Sequence, residues 1–183
     1  MKCIAGIGSR KTPKVMMDLI ALLGRWCLEM GIWVRSGHAP GADYAWECGA
    51  QDRTIVYLPW WSFNKDDRYH TKNIVLWDEV DLMMRQRALA SISKYHPHHE
   101  RLNAGGTKLM ARNYFQVFGT KPEPKPVDAV VCWTPGGNGK GGTGQAIRMA
   151  KSHNIPVIDL GLNMPLFDSY QSIRDHIANV ISL

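Results

Sequence analysis

The feature that most constrains this sequence is a rhythm. Short apolar runs at 3–7, 32–34, 54–58, 127–133 and 155–160 alternate with segments whose apolar residues recur every three or four positions. In the first such segment Val15, Leu19, Leu22, Leu23, Trp26, Cys27 and Met30 trace the stripe of a core-facing helix, opened by Thr12-Pro13 and stopped by Gly31. Further helical segments are read over 43–51, 78–93, 107–118, 143–153 and 168–181. Parallel strands need a crossover between them, usually a helix, so the alternation predicts an α/β fold. The unbroken apolarity of 127–133 suits a strand covered on both faces. The expected architecture is a doubly wound, mainly parallel sheet of about five strands with helices on both faces. Residues 59–106 are polar and aromatic and break the rhythm, so they are read as an insertion after the third strand of a single domain spanning 1–183.

Three Gly-bearing loops fall at the predicted carboxyl ends of strands, each leading into a helix. They are Gly6-Ile7-Gly8-Ser9-Arg10, Ser36-Gly37-His38-Ala39-Pro40-Gly41-Ala42-Asp43 and Pro135-Gly136-Gly137-Asn138-Gly139-Lys140-Gly141-Gly142-Thr143. Glycine lets backbone N–H groups approach an anion, and a helix N-terminus adds partial positive charge. In open parallel sheets, ligands bind beyond the carboxyl ends of the strands. One such loop is ordinary turn chemistry; three on one edge point to a phosphate-bearing ligand. None is a standard fingerprint. Gly6-Ile7-Gly8 lacks the third glycine of the dinucleotide motif, and the third loop lacks the Gly-Lys-Ser/Thr ending of an ATPase loop. Standard NAD redox chemistry and ATP hydrolysis are therefore poor readings, and no cofactor is expected.

Taken in order, Gly8-Ser9-Arg10, the Ser36-Gly37 to Gly41-Ala42-Asp43 segment, Ala111-Arg112-Asn113 and the Pro135-Gly136-Gly137 to Gly142-Thr143 loop resemble the SLOG superfamily. This Rossmann-like group includes DNA-processing protein A, YpsA-like proteins and the LOG phosphoribohydrolases. The likeness extends to small phage-encoded proteins similar to DNA recombination-mediator protein A. It implies a Rossmann-like domain with a nucleotide-derived ligand over the carboxyl edge, in which Arg10 and Arg112 neutralise phosphate. Gly8, Ser9, Ser36, Gly37, His38, Gly41, Ala42, Asp43, Asn113, Pro135, Gly136, Gly137 and Gly141 to Thr143 line the site on that reading. Thr143 is expected to cap its helix beside the anion. The resemblance also implies a homodimer, and leaves single-stranded DNA as an alternative partner to a free nucleotide.

The LOG enzymes carry a glutamate three residues after the threonine of this loop; here that position is Ala146. N-glycosidic hydrolysis needs such a carboxylate, so sensing or sequestering a ligand is preferred to turning it over. Asp43 and Glu47, one helical turn apart, are the substitute candidates; the plainer reading has Asp43 as a helix cap and Glu47 exposed. His96-Pro97-His98-His99-Glu100, with His70 as a remote partner, lacks helical ligand spacing and reads as a polar loop over the pocket, so no metal is expected.

The net charge of +6 concentrates in the middle of the chain. Residues 61–126 carry 11 basic and 7 acidic groups, while 127–183 carry 4 of each. Trp60, Trp61 and Phe63, followed by Lys65, Arg68 and Lys72, form an aromatic–basic cluster there. It is read first as a flap or subunit contact and second as a stacking platform for single-stranded bases. Cys3, Cys27, Cys48 and Cys132 lie in apolar segments with no paired spacing, as reduced buried thiols would. With no membrane-length apolar run and no signal-peptide pattern, the expected location is the cytoplasm, that of the host if the chain is phage-encoded.

Overall fold

The computed structural model describes residues 1–65, 73–121, 125–163 and 167–183. Six strands form one parallel sheet: β1 (Cys3–Gly8), β2 (Trp33–Ser36), β3 (Thr54–Leu58), β4 (Ile74–Leu76), β5 (Ala129–Trp133) and β6 (Val157–Asp159), in the spatial order β4-β3-β2-β1-β5-β6. The seven helices of the described residues are α1 (Lys14–Glu29), α2 (Ala42–Ala50), α3 (Leu82–Tyr95), α4 (Ala104–Phe118), α5 (Gly141–Ser152), the short α6 (Leu160–Asn163) and α7 (Tyr170–Val180). No helix among the described residues is long and apolar enough to cross a membrane.

Period-two alternation along the central strands sorts the core into two layers. Ile4, Val34, Ala129 and Val131 pack with α1, α2 and α7. Cys3, Ala5, Ile7, Val130 and Cys132 face the other way, against α4 and α5, and Tyr57 of β3 meets α3 and α4. The sheet is thus doubly wound, as the strand–helix rhythm implies. The chain runs outward from β1 to β4, then returns to place β5 on the other side of β1. The switch point of the topology lies between β1 and β5, where a cleft opens beyond the strand ends.

The structure corrects the strand count: the sheet has six strands, not about five. The sixth, Ile74–Leu76, lies within the stretch read as an insertion and pairs along one side with Val56, Tyr57 and Leu58. An edge strand of three half-buried residues carries too short an apolar run to announce itself. The α1 stripe is also corrected. Val15, Leu22 and Met30, read as core-facing, are exposed, because α1 meets the sheet and α2 through Ile20, Leu23, Gly24, Trp26 and Cys27. Cys3, Cys27 and Cys132 are buried as expected, while Cys48 is half-buried.

Candidate functional site

The cleft at the switch point holds a cavity of about 390 Å³. Its walls come from four places distant in sequence: Ile7 to Lys11 after β1, Ala39 and Asp43 around the start of α2, Leu109 to Gln116 on α4, and Lys140 to Thr143 at the start of α5. The sequence-predicted Gly8, Ser9, Arg10, Asp43, Arg112, Asn113, Gly141, Gly142 and Thr143 all line it.

The β1 and β2 loops meet because glycine lets them. Gly41 sits at φ +88°, and a Cβ there would fall 2.4 Å from the carbonyl oxygen of Ser9. Asp43 locks the junction: its carboxylate accepts the N–H of Gly8 (2.9 Å) and of Gly37 (3.2 Å). It does not cap α2, contrary to expectation, since its oxygens are turned to the two neighbouring loops. Burial pushes its pKa from 3.8 up to about 6, against the opposing influence of the Arg112 guanidinium and the two backbone donors at Gly8 and Ala39.

Arg112 is only 6% exposed. Its guanidinium stands over the Phe63 ring, 5.3 Å from the centroid. With the Gln116 amide oxygen turned inward, that oxygen accepts from Arg112 Nη1 (3.2 Å) and from the Gly37 N–H (3.0 Å). Arg112 Nε has no partner among the described residues. Desolvation lowers the pKa of Arg112, while Asp43 and Glu47 hold its charge in place.

Glu47 is buried, which corrects the expectation of an exposed side chain. It accepts from Ser36 Oγ (2.6 Å) and the His38 N–H (3.0 Å), and its second oxygen lies 2.6 Å from His38 Nδ1. His38 Nε2 in turn lies 3.0 Å from the carbonyl oxygen of Asn64, whose amide donates back to the His38 carbonyl (2.8 Å). Both ring nitrogens thus lie within hydrogen-bond distance of an oxygen. Ser36, Gly37, His38, Gly41 and Ala42 are not among the residues that line the cavity; Ser36, Gly37 and His38 hold the Asp43 and Glu47 carboxylates of α2.

The third loop divides. Lys140 to Thr143 reach the cavity, but Pro135, Gly136 and Gly137 do not. They form a short turn against α6, where a Cβ on Gly137 would fall 2.3 Å from that of Leu162. Asp159 braces this half of the loop. It accepts from the N–H groups of Thr134 (2.9 Å) and Gly161 (3.0 Å) and from the Thr134 hydroxyl, whose oxygen accepts the Gly139 N–H at 3.1 Å. The helix cap is also corrected: Lys140 is the N-cap of α5, and Thr143 lies inside the first turn. No side chain caps this N-terminus, so its dipole faces the cavity. Asn113 ties α4 to it, donating to the carbonyl of Gly142 (3.1 Å) and to Gln145 Oε1 (3.2 Å).

Sequence reasoning missed Ile7, Lys11, Ala39, Leu109, Met110, Gln116 and Lys140. Leu109 and Gln116 sit three before and four after Arg112, so helical periodicity carried outward from that arginine finds them. Exposed Arg10, Lys11 and Lys140 put three more cations around the opening. Of the aromatic–basic cluster, Phe63 is buried and Trp61 is 63% exposed; Trp60 packs edge-on to Phe63. Arg68, Lys72 and His70 lie outside the described residues. His98, His99 and Glu100 are exposed, and none of the 96–100 segment lines the cavity.

One solved structure shares this architecture. DNA processing protein A from Helicobacter pylori, described for its single-stranded DNA binding mode, superposes with a TM-score of 0.65 over 97% of this chain and 80% of that one, at 18% identity. At that identity the likeness is one of fold. No protein-family model matches the sequence, and no curated protein matches it.

Proposed function

We propose that this chain binds single-stranded DNA, seating a backbone phosphate in the cavity at the carboxyl edge of its sheet. The observation that carries the reading is Arg112, a guanidinium nine-tenths buried in the cavity wall whose Nε lacks a partner among the described residues. A phosphate supplies the missing acceptor, and the planar guanidinium suits it bidentately. Arg10, Lys11, Lys140 and the uncapped start of α5 add positive potential around the same space. Two things support a strand over an isolated phosphate. The fold is shared with a protein that binds single-stranded DNA, and the chain carries Trp61 exposed two residues from the Phe63 that packs on Arg112. Stacking on an exposed aromatic contributes about 1–3 kcal/mol per base.

Fluorescence anisotropy with labelled oligonucleotides tests the reading. Binding is expected to weaken steeply with salt, to fall at least tenfold in Arg112→Met and to fall again in Trp61→Ala. An absence of oligonucleotide binding overturns it. A second reading, capture of a free nucleotide, is favoured by the cavity itself, whose 390 Å³ matches one nucleotide-sized ligand. Mononucleotides that compete as well as the oligonucleotide would establish that reading instead. Hydrolysis of the nucleotide has Asp43 as its remaining carboxylate in the cavity lining. That side chain is already committed to Gly8 and Gly37, so no release of free base is expected; release lost in Asp43→Asn would reverse this.

A further inference from the structure

Just outside the cavity, a half-buried arginine has no carboxylate to answer it among the described residues. Arg148 lies on α5, and its Nε donates to the carbonyl of Tyr95, the last residue of α3, at 2.6 Å. The side chain leans back toward the start of α5, as long helical side chains do. Its Nη1 ends 3.0 Å from where a Cβ on Gly144 would stand. Gly144 follows Gly141 and Gly142 of the cavity wall within one helical turn. Burial lowers the pKa of Arg148, and no acidic group offsets that effect. A guanidinium carries five donors, so a single carbonyl leaves most of the fork unanswered and its charge uncompensated.

Beside it lies the 96–100 turn, which the cavity does not use. His96 Nδ1 accepts the His98 N–H at 3.2 Å, so the neutral ring carries its proton on Nε2 and is a donor without being charged. Burial, Arg148 and the neighbouring His98 and His99 push the His96 pKa down, which keeps the ring neutral near pH 7. Glu100, the carboxylate of this turn, lies 3.6 Å from His99 Nδ1 and 3.9 Å from Arg101 Nε. This flank of α5 therefore combines an uncompensated cation with a neutral donor.

We propose that the flank is a second phosphate subsite, in which Arg148, with His96 at its side, takes the phosphate that follows along the strand from the one seated in the cavity. The subsite rests on the strand-binding reading and deepens it. Arg148 is not among the residues that line the cavity, so a phosphate held there by Arg112 leaves its fork unanswered. The next phosphate of the same strand is tethered within reach, because the fork ends within about one helical turn, about 5.4 Å of rise, of the Gly141–Gly142 wall. A nucleoside monophosphate has no second phosphate to offer. The subsite thus favours a strand over a single nucleotide, which a cavity of 390 Å³ does not do by itself.

Arg148 also pins the end of α3 through Tyr95, so its replacement alone does not separate binding from packing. His96→Glu does. It sets a carboxylate beside Arg148 that occupies the fork in place of a phosphate and leaves the Tyr95 bond intact. Fluorescence anisotropy with a labelled oligothymidylate across a salt series, with circular dichroism as the control for folding, tests the proposal. Arg148→Met and His96→Glu are each expected to weaken strand binding at least fivefold. Each should flatten the dependence of log affinity on log salt by about 0.7, the share of one single-strand phosphate. His96→Gln, which keeps a neutral donor, should bind like wild type. Affinity for thymidine monophosphate, which reaches only the cavity, should be the same in all of them. Strand binding or a salt slope that both variants leave untouched overturns the subsite and leaves the cavity reading standing. A loss in Arg148→Met that His96→Glu does not share marks a packing role and overturns it too, as does an equal loss for the monophosphate. A wild type that binds no oligothymidylate overturns the subsite and the strand reading together.

Discussion

Replacing Arg112 with Met probes how the cavity wall is held together. Methionine keeps most of the unbranched length and removes the charge, so the first loss is the compensation that Asp43 receives. With Arg112 present, burial already raises the Asp43 pKa from 3.8 to about 6, which corresponds to about 3 kcal/mol of resistance to ionisation in the folded protein. A folded pKa above the unfolded one means that this group's contribution to stability is complete below pH 3.8 and is lost as pH rises through about 6. Without the guanidinium the folded pKa climbs further, and the loss continues to higher pH. The stability gap between wild type and variant should therefore be small near pH 5 and widen steadily above pH 6. Breaking a buried charge pair costs about 3–5 kcal/mol when the survivor stays charged; proton uptake by Asp43 limits the gap near neutrality to about 2–3 kcal/mol. In a domain of this size that lowers the melting temperature by roughly 5–10 °C. Thermal melts in a buffer series from pH 5 to pH 8 measure it. The double variant Asp43→Asn with Arg112→Met should lose the widening and recover stability at pH 8, because the uncompensated charge is gone. A gap that is constant across the series, or single-variant losses that add in the double variant, would refute the coupling.

Three further outcomes follow from the same geometry. In Gly37→Ala the new Cβ would fall 1.4 Å from Arg112 Nη1 and 2.2 Å from Gln116 Nε2. The guanidinium must leave its place, and strand affinity measured by anisotropy should drop at least tenfold while circular dichroism stays native. Affinity for phosphate-bearing ligands should rise as pH falls through about 6, because protonated Asp43 no longer offsets Arg112; Asp43→Asn should bind with little pH dependence over that range by isothermal titration. Arg10→Ala and Lys140→Ala should each flatten the dependence of log affinity on log salt by about 1, as expected when one phosphate contact is removed; an unchanged slope would place that cation away from the strand.

The architecture was legible because it rests on local signals. Apolar runs such as 127–133, and a glycine such as Gly31 closing a helical stripe, report strands and helix ends directly. What failed was whatever depends on the third dimension. β4 pairs on one side only and is three residues long, so its pattern is too brief to register. The apolar stripe of α1 is wider than the arc that the sheet and α2 cover, so periodicity overstated the core by Val15, Leu22 and Met30.

The site shows the sharper divide. Its loops could be read from Gly8-Ser9-Arg10 and from Gly141-Gly142-Thr143, because glycine before a helix has a local meaning. The burial of its charged residues could not, because on a helix Asp43, Glu47 and Arg112 look like solvated surface; Asp43 and Arg112 enter the site reading only through the family resemblance. Each is buried here for a reason that lies elsewhere in the chain: Asp43 by the N–H groups of Gly8 and Gly37, Glu47 by Ser36 and His38, and Arg112 by Phe63 and Gln116. Apolar residues of similar volume would hold these elements together at least as well, so stability alone gives no account of the cluster. Its charge does. With Asp43 ionised, its carboxylate offsets the Arg112 guanidinium; with Asp43 protonated, more of that positive charge is directed at the cavity. A pKa of about 6 puts the boundary between those states close to neutrality. If a phosphate seats beside Arg112 as proposed, its negative charge favours the proton on Asp43. Proton uptake and anion binding are then two sides of one equilibrium, and each must strengthen the other by the same factor.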